Sequence, residues 1–572
     1  MKKESWLLLC VLCVLCGSGF SLDRTAFTFT SYNLELRVDP AGQAIATRGT
    51  IRLRNDSTAP QRTLVLQISS SLDWRMIEFN GKPLQYVATN YTTDLDHTGA
   101  VREAVVSLPA AVAPKASVEL QVGYAGALTR NTMRLENIGV PASTATRTDW
   151  DQVAEPVTAV RGIGYVAWYP VSLPAAKLSD NTLFTAVNDW KNSQRDTTMR
   201  VNLCWIAESD LTVVANGSLE GVNRHLLGAD EQGETSTNAG CSVYSFGSLA
   251  STVPSFAIAA YSALDRPSLT VYHLPPQQAA AQEYAAAGEK VLPFETQWFP
   301  APQSKVQVVQ LGDQADAPFE SGPLLFTPLL LVSRNDIQAI MIHQLAHASL
   351  HSPRPWIEEG LARFAQALER ERQGGRTAAI AYMQGSLPAL QAVEADATAE
   401  KRATQSLLNS NDEILFRVKA MYVWWMLRDL VGDEVLRRAI HQYRAADDRS
   451  ATYMPHLIAQ AAKRDLEWFF DDWVYRDRGL PDFTIESAYP RTTLNGSYVV
   501  TVTVKNAGGA AAVVPFTVRA PGGERTQRVQ VNARSEAVER VELPQMPTEV
   551  RVNDGSVPEL NMNNNSLLVA PK

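Results

Sequence analysis

The stretch that most constrains this chain runs from Asn335 to Gln366, NDIQAIMIHQLAHASLHSPRPWIEEGLARFAQ. Apolar residues at Ile337, Ile340 and Met341, with Ser333 or Asn335 as N-cap, predict a helix over its first half. His343 and His347 are four residues apart, so both imidazoles leave one face, about one turn from each other. That is the spacing two nitrogen ligands need to share one tetrahedral zinc. Pro353 and Pro355 then break the chain, and Pro355 suits the first turn of a second helix from Trp356 onward. Glu358 and Glu359 fall in that turn. Helical neighbours point about 100° apart, so one of the two can swing back as a third ligand, but not both.

The spacing is that of the zinc-peptidase signature H-E-x-x-H, with one departure: the general-base position holds Gln344. Gln344 is not a ligand in that signature, so its change leaves metal binding intact. Proton transfer is another matter, because an amide cannot take a proton from water near neutral pH. His351 continues the four-residue spacing, but Pro353 follows at once, which predicts a polar, exposed residue at a helix end.

At 572 residues with 45% apolar content, the chain is long enough for three or four domains with sizeable cores. A net charge of −8, with no dense basic run, argues against nucleic acid as a partner. Lys2 and Lys3 precede an apolar run from Trp6 to Leu15, followed by Gly17, Ser18, Gly19 and Ser21. This layout predicts a secretory signal over residues 1–21, hence export to the periplasm or the outside, and no transmembrane segment after its removal. Export leaves Cys204 and Cys241, an even pair in two strand-like runs. A cross-strand disulfide is expected, with two buried free thiols as the alternative.

Texture divides the rest. Residues 22–264 alternate apolar and polar positions with almost no helical periodicity, predicting an antiparallel β domain. Residues 265–482 begin with strands around an Ala-rich helix from Gln277 to about Trp298, then turn mainly helical. Residues 483–572 return to short alternating strands, predicting an Ig-like β-sandwich whose last ten or so residues fray. The fold class expected is multidomain α+β.

This order, with HxxxH in the middle domain, resembles the aminopeptidase N family of zinc metallopeptidases, the gluzincins, whose catalytic domain is thermolysin-like. Further echoes are VVANGSLEG, PFETQWFPAPQSKVQVVQL, WIEEGLARF and WFFDDWVYRDRGLPDFTI. The family's large helical C-terminal domain has no counterpart. The resemblance implies one Zn²⁺ held by His343, His347 and Glu359, the last being the Glu before Gly360. The family's G-x-M-E-N segment, whose Glu grips a substrate's free amine, aligns with APFESGPLLF. Glu320 keeps that carboxylate, while the flanking Gly and Asn are lost. The family's oxyanion-stabilising Tyr aligns with Arg417 in FRVKAM, so no phenol stands in that register.

The function expected from the sequence is an exported aminopeptidase-like protein that binds zinc and a peptide or protein N-terminus, with hydrolysis lost or strongly weakened. Two alternatives remain: an active metallopeptidase using a substitute base, and a metal-free structural or interaction protein.

Overall fold

The computed structural model describes residues 22–180, 182–207, 210–227, 237–250, 252–302, 304–398, 406–408, 410 and 412–569. The expected signal, residues 1–21, lies outside them.

The first β region is built on strand β1 (Phe27–Asp39), whose alternate residues Leu34, Leu36 and Val38 are buried. It pairs antiparallel with Ala44–Asn55 and parallel with β2 (Thr198–Ala207) inside an eight-stranded sheet. β3 (Thr237–Phe246) follows antiparallel to β2, with Cys204 directly opposite Cys241, and the two are joined in a disulfide. A three-stranded sheet, Gln61–Ser69, Ala100–Val112 and Gln85–Thr92, accompanies the large one, and residues of both share a single apolar core.

The expectation of an almost helix-free first region needs correction. Helix α1 (Leu183–Ser193) interrupts it, and short helices form at Met133–Glu136 and Ala142–Thr148. In α1 only Leu183 and Trp190, seven residues apart, are buried. So sparse an apolar stripe leaves too little period to detect.

The middle region opens with a five-stranded sheet. Strand Ser262–Asp265 pairs with β4 (Leu269–His273), and β4 runs parallel to β5 (Val306–Gln310). Helix α2 (Gln278–Trp298) makes the crossover between β4 and β5, because two parallel strands cannot be joined by a tight turn. β6 (Phe319–Ser321) forms the far edge, antiparallel to β7 (Leu324–Thr327), and β7 runs parallel to β5. Helices α3 (Arg334–Ser349), α4 (Pro355–Gln384, broken by a kink at Gly374 and Gly375) and α5 (Ala420–Val431) pack beyond the sheet around Trp356, Trp424 and Trp425, all fully buried. A π-helical turn, Ile414–Lys419, leads directly into α5.

The C-terminal region is a sandwich of a three-stranded and a four-stranded sheet. The described part of its tail, to residue 569, does not fray as expected. Ser566–Leu568 pairs with Glu549–Val552, and Asn565 Nδ2 bonds the buried Glu559 carboxylate, which also accepts from Asn553 and Phe483 N. A fully satisfied buried carboxylate thus ties down a polar segment whose composition alone reads as loose.

One buried group makes stability depend on pH. Glu295 of α2 is fully enclosed, and burial, opposed only in part by Ser349, pushes its pKa up to about 8. The fold therefore favours the neutral acid. Its contribution is complete below the ordinary carboxyl range and is lost as pH rises towards 8. Glu295→Gln should melt near the wild-type temperature at pH 5 and clearly above it at pH 8.5. The gain between the two is roughly 2–4 kcal/mol by linkage, and paired thermal scans would check it.

Candidate metal centre

The site starts from a helix whose beginning and end are both locally determined. Ser333 caps α3: its Oγ accepts from Asp336 N and donates to the Asp336 carboxylate at 2.6 Å. The helix stops at Ser349, and Pro355 occupies the first turn of α4, where its missing N–H costs nothing. Within α3 the rings of His343 and His347 lie 4.9 Å apart at 75°.

α4 then returns against α3 and brings Glu359 to the histidines. Glu359 Oε1 is 3.6 Å from His347 Nε2, and one ligand atom from each of His343, His347 and Glu359 lies within 4.8 Å of the others. Among the described residues this is the one such convergence of metal-type side chains. His347 Nε2 and His343 Nδ1 are enclosed and make no hydrogen bond. Two imidazoles with unspent nitrogens and one carboxylate are a donor set that fits zinc.

The choice between the two glutamates has a structural basis. Glu358 Oε1 is 2.6 Å from His351 Nδ1, and His351 Nε2 is 3.1 Å from Lys191 Nζ of α1. Glu358 is thereby held in a separate contact, and Glu359 is the one beside His347. Burial alone would raise the Glu358 carboxyl, but His351 and Lys191 more than reverse this and hold its pKa at about 2. His351 is accordingly not an exposed helix-end residue, as its position before Pro353 suggests. It is half-buried at the seam with the β region.

Close packing fixes the helix that carries Glu359. Gly360 faces α5, and a Cβ there would lie 2.7 Å from Ala420 Cβ and 3.0 Å from Trp424 Nε1. Trp424 stacks on Trp356 at 5.1 Å and donates to the Trp356 carbonyl at 2.9 Å.

Gln344 is buried at 1% exposure. Its Nε2 donates to Phe326 O of β7 at 3.2 Å, and its Oε1 is enclosed without a partner. Glu320 sits on edge strand β6, opposite Leu325. Burial raises its pKa; His347, Gln344 and Arg417 oppose this and Glu359 adds to it, so Glu320 shares the electrostatic field of the whole site. Arg417, on the π-helical turn, does not simply face solvent. Its Nε donates to Glu359 Oε2 at 3.1 Å and its Nη1 to Glu413 at 3.1 Å.

The same geometry sets the histidines apart. Burial, then the cationic neighbours His347, Arg363 and Arg417, hold His343 well below the ordinary imidazole pKa. Burial also pulls His347 down, but Glu359, Glu320 and Glu358 outweigh it and leave the pKa raised. The three carboxylates around His347 make its side of the site favour positive charge.

Two participants escape the sequence reading. Tyr165 lies against Phe319 with ring centroids 5.2 Å apart and under the Arg161 guanidinium at 3.6 Å, and its phenol lies in the field of Arg417. Lys191 reaches His351 across 160 residues of sequence. Neither belongs to a motif, and no local pattern signals either.

No protein-family model matches the sequence, and no curated protein matches it. Solved structures do share its fold. An M1 zinc metallopeptidase from Deinococcus radiodurans superposes with a TM-score of 0.51 at 14% identity, over 76% of this chain and 90% of that one. A glutamate-to-alanine mutant of a Deinococcus radiodurans M1 zinc metallopeptidase gives 0.52 at 15%, over 80% and 96%. Aminopeptidase A of Legionella pneumophila, in complex with aspartic acid, gives 0.62 at 11%, over 93% of this chain and 59% of that one. At these identities the likeness is one of fold: a multidomain α+β architecture shared with M1 zinc metallopeptidases.

Gly360→Ala tests the packing that aims Glu359. Helix propensity favours Ala by roughly 0.5–1 kcal/mol, but the Ala420 contact should cost about 1–3 kcal/mol. The net expectation is a lower melting temperature, recovered for the most part in the double variant with Ala420→Gly.

Proposed function

We propose that this chain is an exported protein of the M1 metallopeptidase fold that holds one Zn²⁺ on His343, His347 and Glu359 and binds peptide N-termini, with hydrolysis lost or strongly weakened. The carrying observation is Gln344. It stands beside a complete donor set, at the position from which H-E-x-x-H chemistry takes its base, with its amide N–H committed to the Phe326 carbonyl.

The chemistry follows from what each group can do with a proton or a charge. Zinc, when bound, polarises a carbonyl and acidifies water. Gln344 can donate a hydrogen bond but cannot carry a proton from water to a leaving amine. A positioned acid–base group supplies ~10²–10⁴ in rate, roughly 3–5.5 kcal/mol. Arg417 occupies the register of an oxyanion-stabilising phenol, and its Nε is spent on Glu359. Glu320 offers the anion that an incoming ammonium needs. The disulfide between Cys204 and Cys241 supports export to an oxidising compartment.

One observation favours a second reading. Glu320 shares the field of His347 and Gln344, and burial raises its pKa. It is therefore the residue to carry a substitute-base mechanism, in which the chain is an active metallopeptidase.

The measurements separate these readings. Mass spectrometry should find one zinc per chain in the wild type and none in His343→Ala. A metal-free wild type would leave only a binding or structural scaffold. On a chromogenic aminoacyl-amide, wild-type turnover should be at or near background, and Gln344→Glu should raise it by about 10²–10⁴. Brisk wild-type turnover that Glu320→Gln abolishes would establish the second reading instead.

A further inference from the structure

The metal centre carries a charge pattern that the H-E-x-x-H signature does not. Gln344 puts an amide where the signature has a carboxylate, and Arg417 puts a guanidinium in the register of a phenol. Each exchange makes the pocket one charge more positive. Arg417 Nε donates to Glu359 Oε2 and its Nη1 to Glu413 Oε2, each at 3.1 Å. Its Nη2 bonds nothing among the described residues, and the side chain is 34% exposed, so a donor beside Glu359 stays unspent within reach of solvent. Glu413 is 68% exposed, where water screens most of its charge. Once a metal takes Glu359, Arg417 therefore lacks a strong counter-charge. Glu320, on β6, is half-buried and makes no ion pair among the described residues. It and Arg417 act on each other's charge across the site.

We propose that the ligand this centre prefers is a free α-amino acid, with its ammonium on Glu320 and its carboxylate shared between the metal and Arg417 Nη2. The proposal rests on the zinc-binding reading above and narrows its ligand. A glutamate at position 344 would repel a carboxylate at the metal, whereas the Gln344 amide does not. A carboxylate offers charge at two oxygens, one for the metal and one for the guanidinium, while a peptide bond offers a single neutral carbonyl oxygen. Glu320 needs a cation, because burial works against its charge, and an acylated amine would leave it unpaired. A peptide N-terminus answers Glu320 but not Arg417, and a peptide C-terminus answers Arg417 but not Glu320. A single residue with both ends free answers both.

The test is titration calorimetry on the full-length, zinc-loaded protein, freed of unbound metal and assayed for zinc before and after. The probes are L-alanine, L-alaninamide and N-acetyl-L-alanine, whose small side chain makes no demand on its surroundings. L-Alanine should bind saturably, one per zinc, and at least about tenfold more tightly than either blocked form. Arg417→Gln, with zinc retained and the circular dichroism native, should bring L-alanine down to the affinity of L-alaninamide, and Gln344→Glu should narrow the gap between the two. Amide binding as tight as acid, or a preference for the acid that survives Arg417→Gln, would overturn the proposal and leave zinc and amine binding standing. A chain that takes up no zinc, or that binds none of the three probes, would overturn the reading beneath it as well.

Discussion

The centre depends on one turn of chain, the reversal between α3 and α4. His343 and His347 alone define a direction, because helical spacing puts them on one face wherever the helix lies. What converts that face into a three-donor site is the placement of Glu359, set by the Pro353–Pro355 break and by how closely α4 approaches α5. The absence of a side chain at Gly360 lets Ala420 and Trp424 come to contact distance. The His351–Glu358 pair holds the first turn of α4 from the other side. Glu359 is thereby restrained on both flanks, which is the support a metal ligand needs to keep its geometry.

The Gln344 amide makes a contact at β7 that a glutamate could not, while its Oε1 stays enclosed and unbonded. The Phe326 carbonyl accepts from it. A carboxylate in the same pose would set two acceptors against each other, at the cost of an unmade hydrogen bond and some repulsion. It would therefore turn away from β7. Arg417 shows a parallel accommodation. The π-helical turn carries a fixed positive charge, and the Arg417 Nε–H bonds the outer oxygen of Glu359.

How much of this could be read from the sequence follows from the range of each interaction. The helix start at Ser333, the stop before Pro355, the His343–His347 face and the pairing of Cys204 with Cys241 are matters of local chemistry or of a count of two, and the residues suffice. The α1 helix could not be read, because two buried residues seven apart make no period. The surroundings of Arg417 could not be read for a different reason. Residues Ile414–Lys419 form a π-helical turn, which rotates side chains away from the 3.6-residue register that any alignment by spacing assumes. His351 reads as exposed from its neighbours in sequence, because its partner Lys191 comes from another region of the chain. Nothing around Pro353 in sequence signals a lysine 160 positions earlier.

That last contact changes how the β region is to be regarded. It does not merely shelter the helical region, since it contributes charged groups to the surroundings of the centre. Lys191 enters through α1 and Tyr165 through the loop after the strand Val157–Val160, while Arg130 and Trp150 tie the same region to Asp316 and the Ala317 carbonyl just ahead of β6. β6 carries Glu320. Glu358 acts on His347, and His351 and Lys191 hold Glu358 from the seam, so the charges around His347 include one that the β region helps to position.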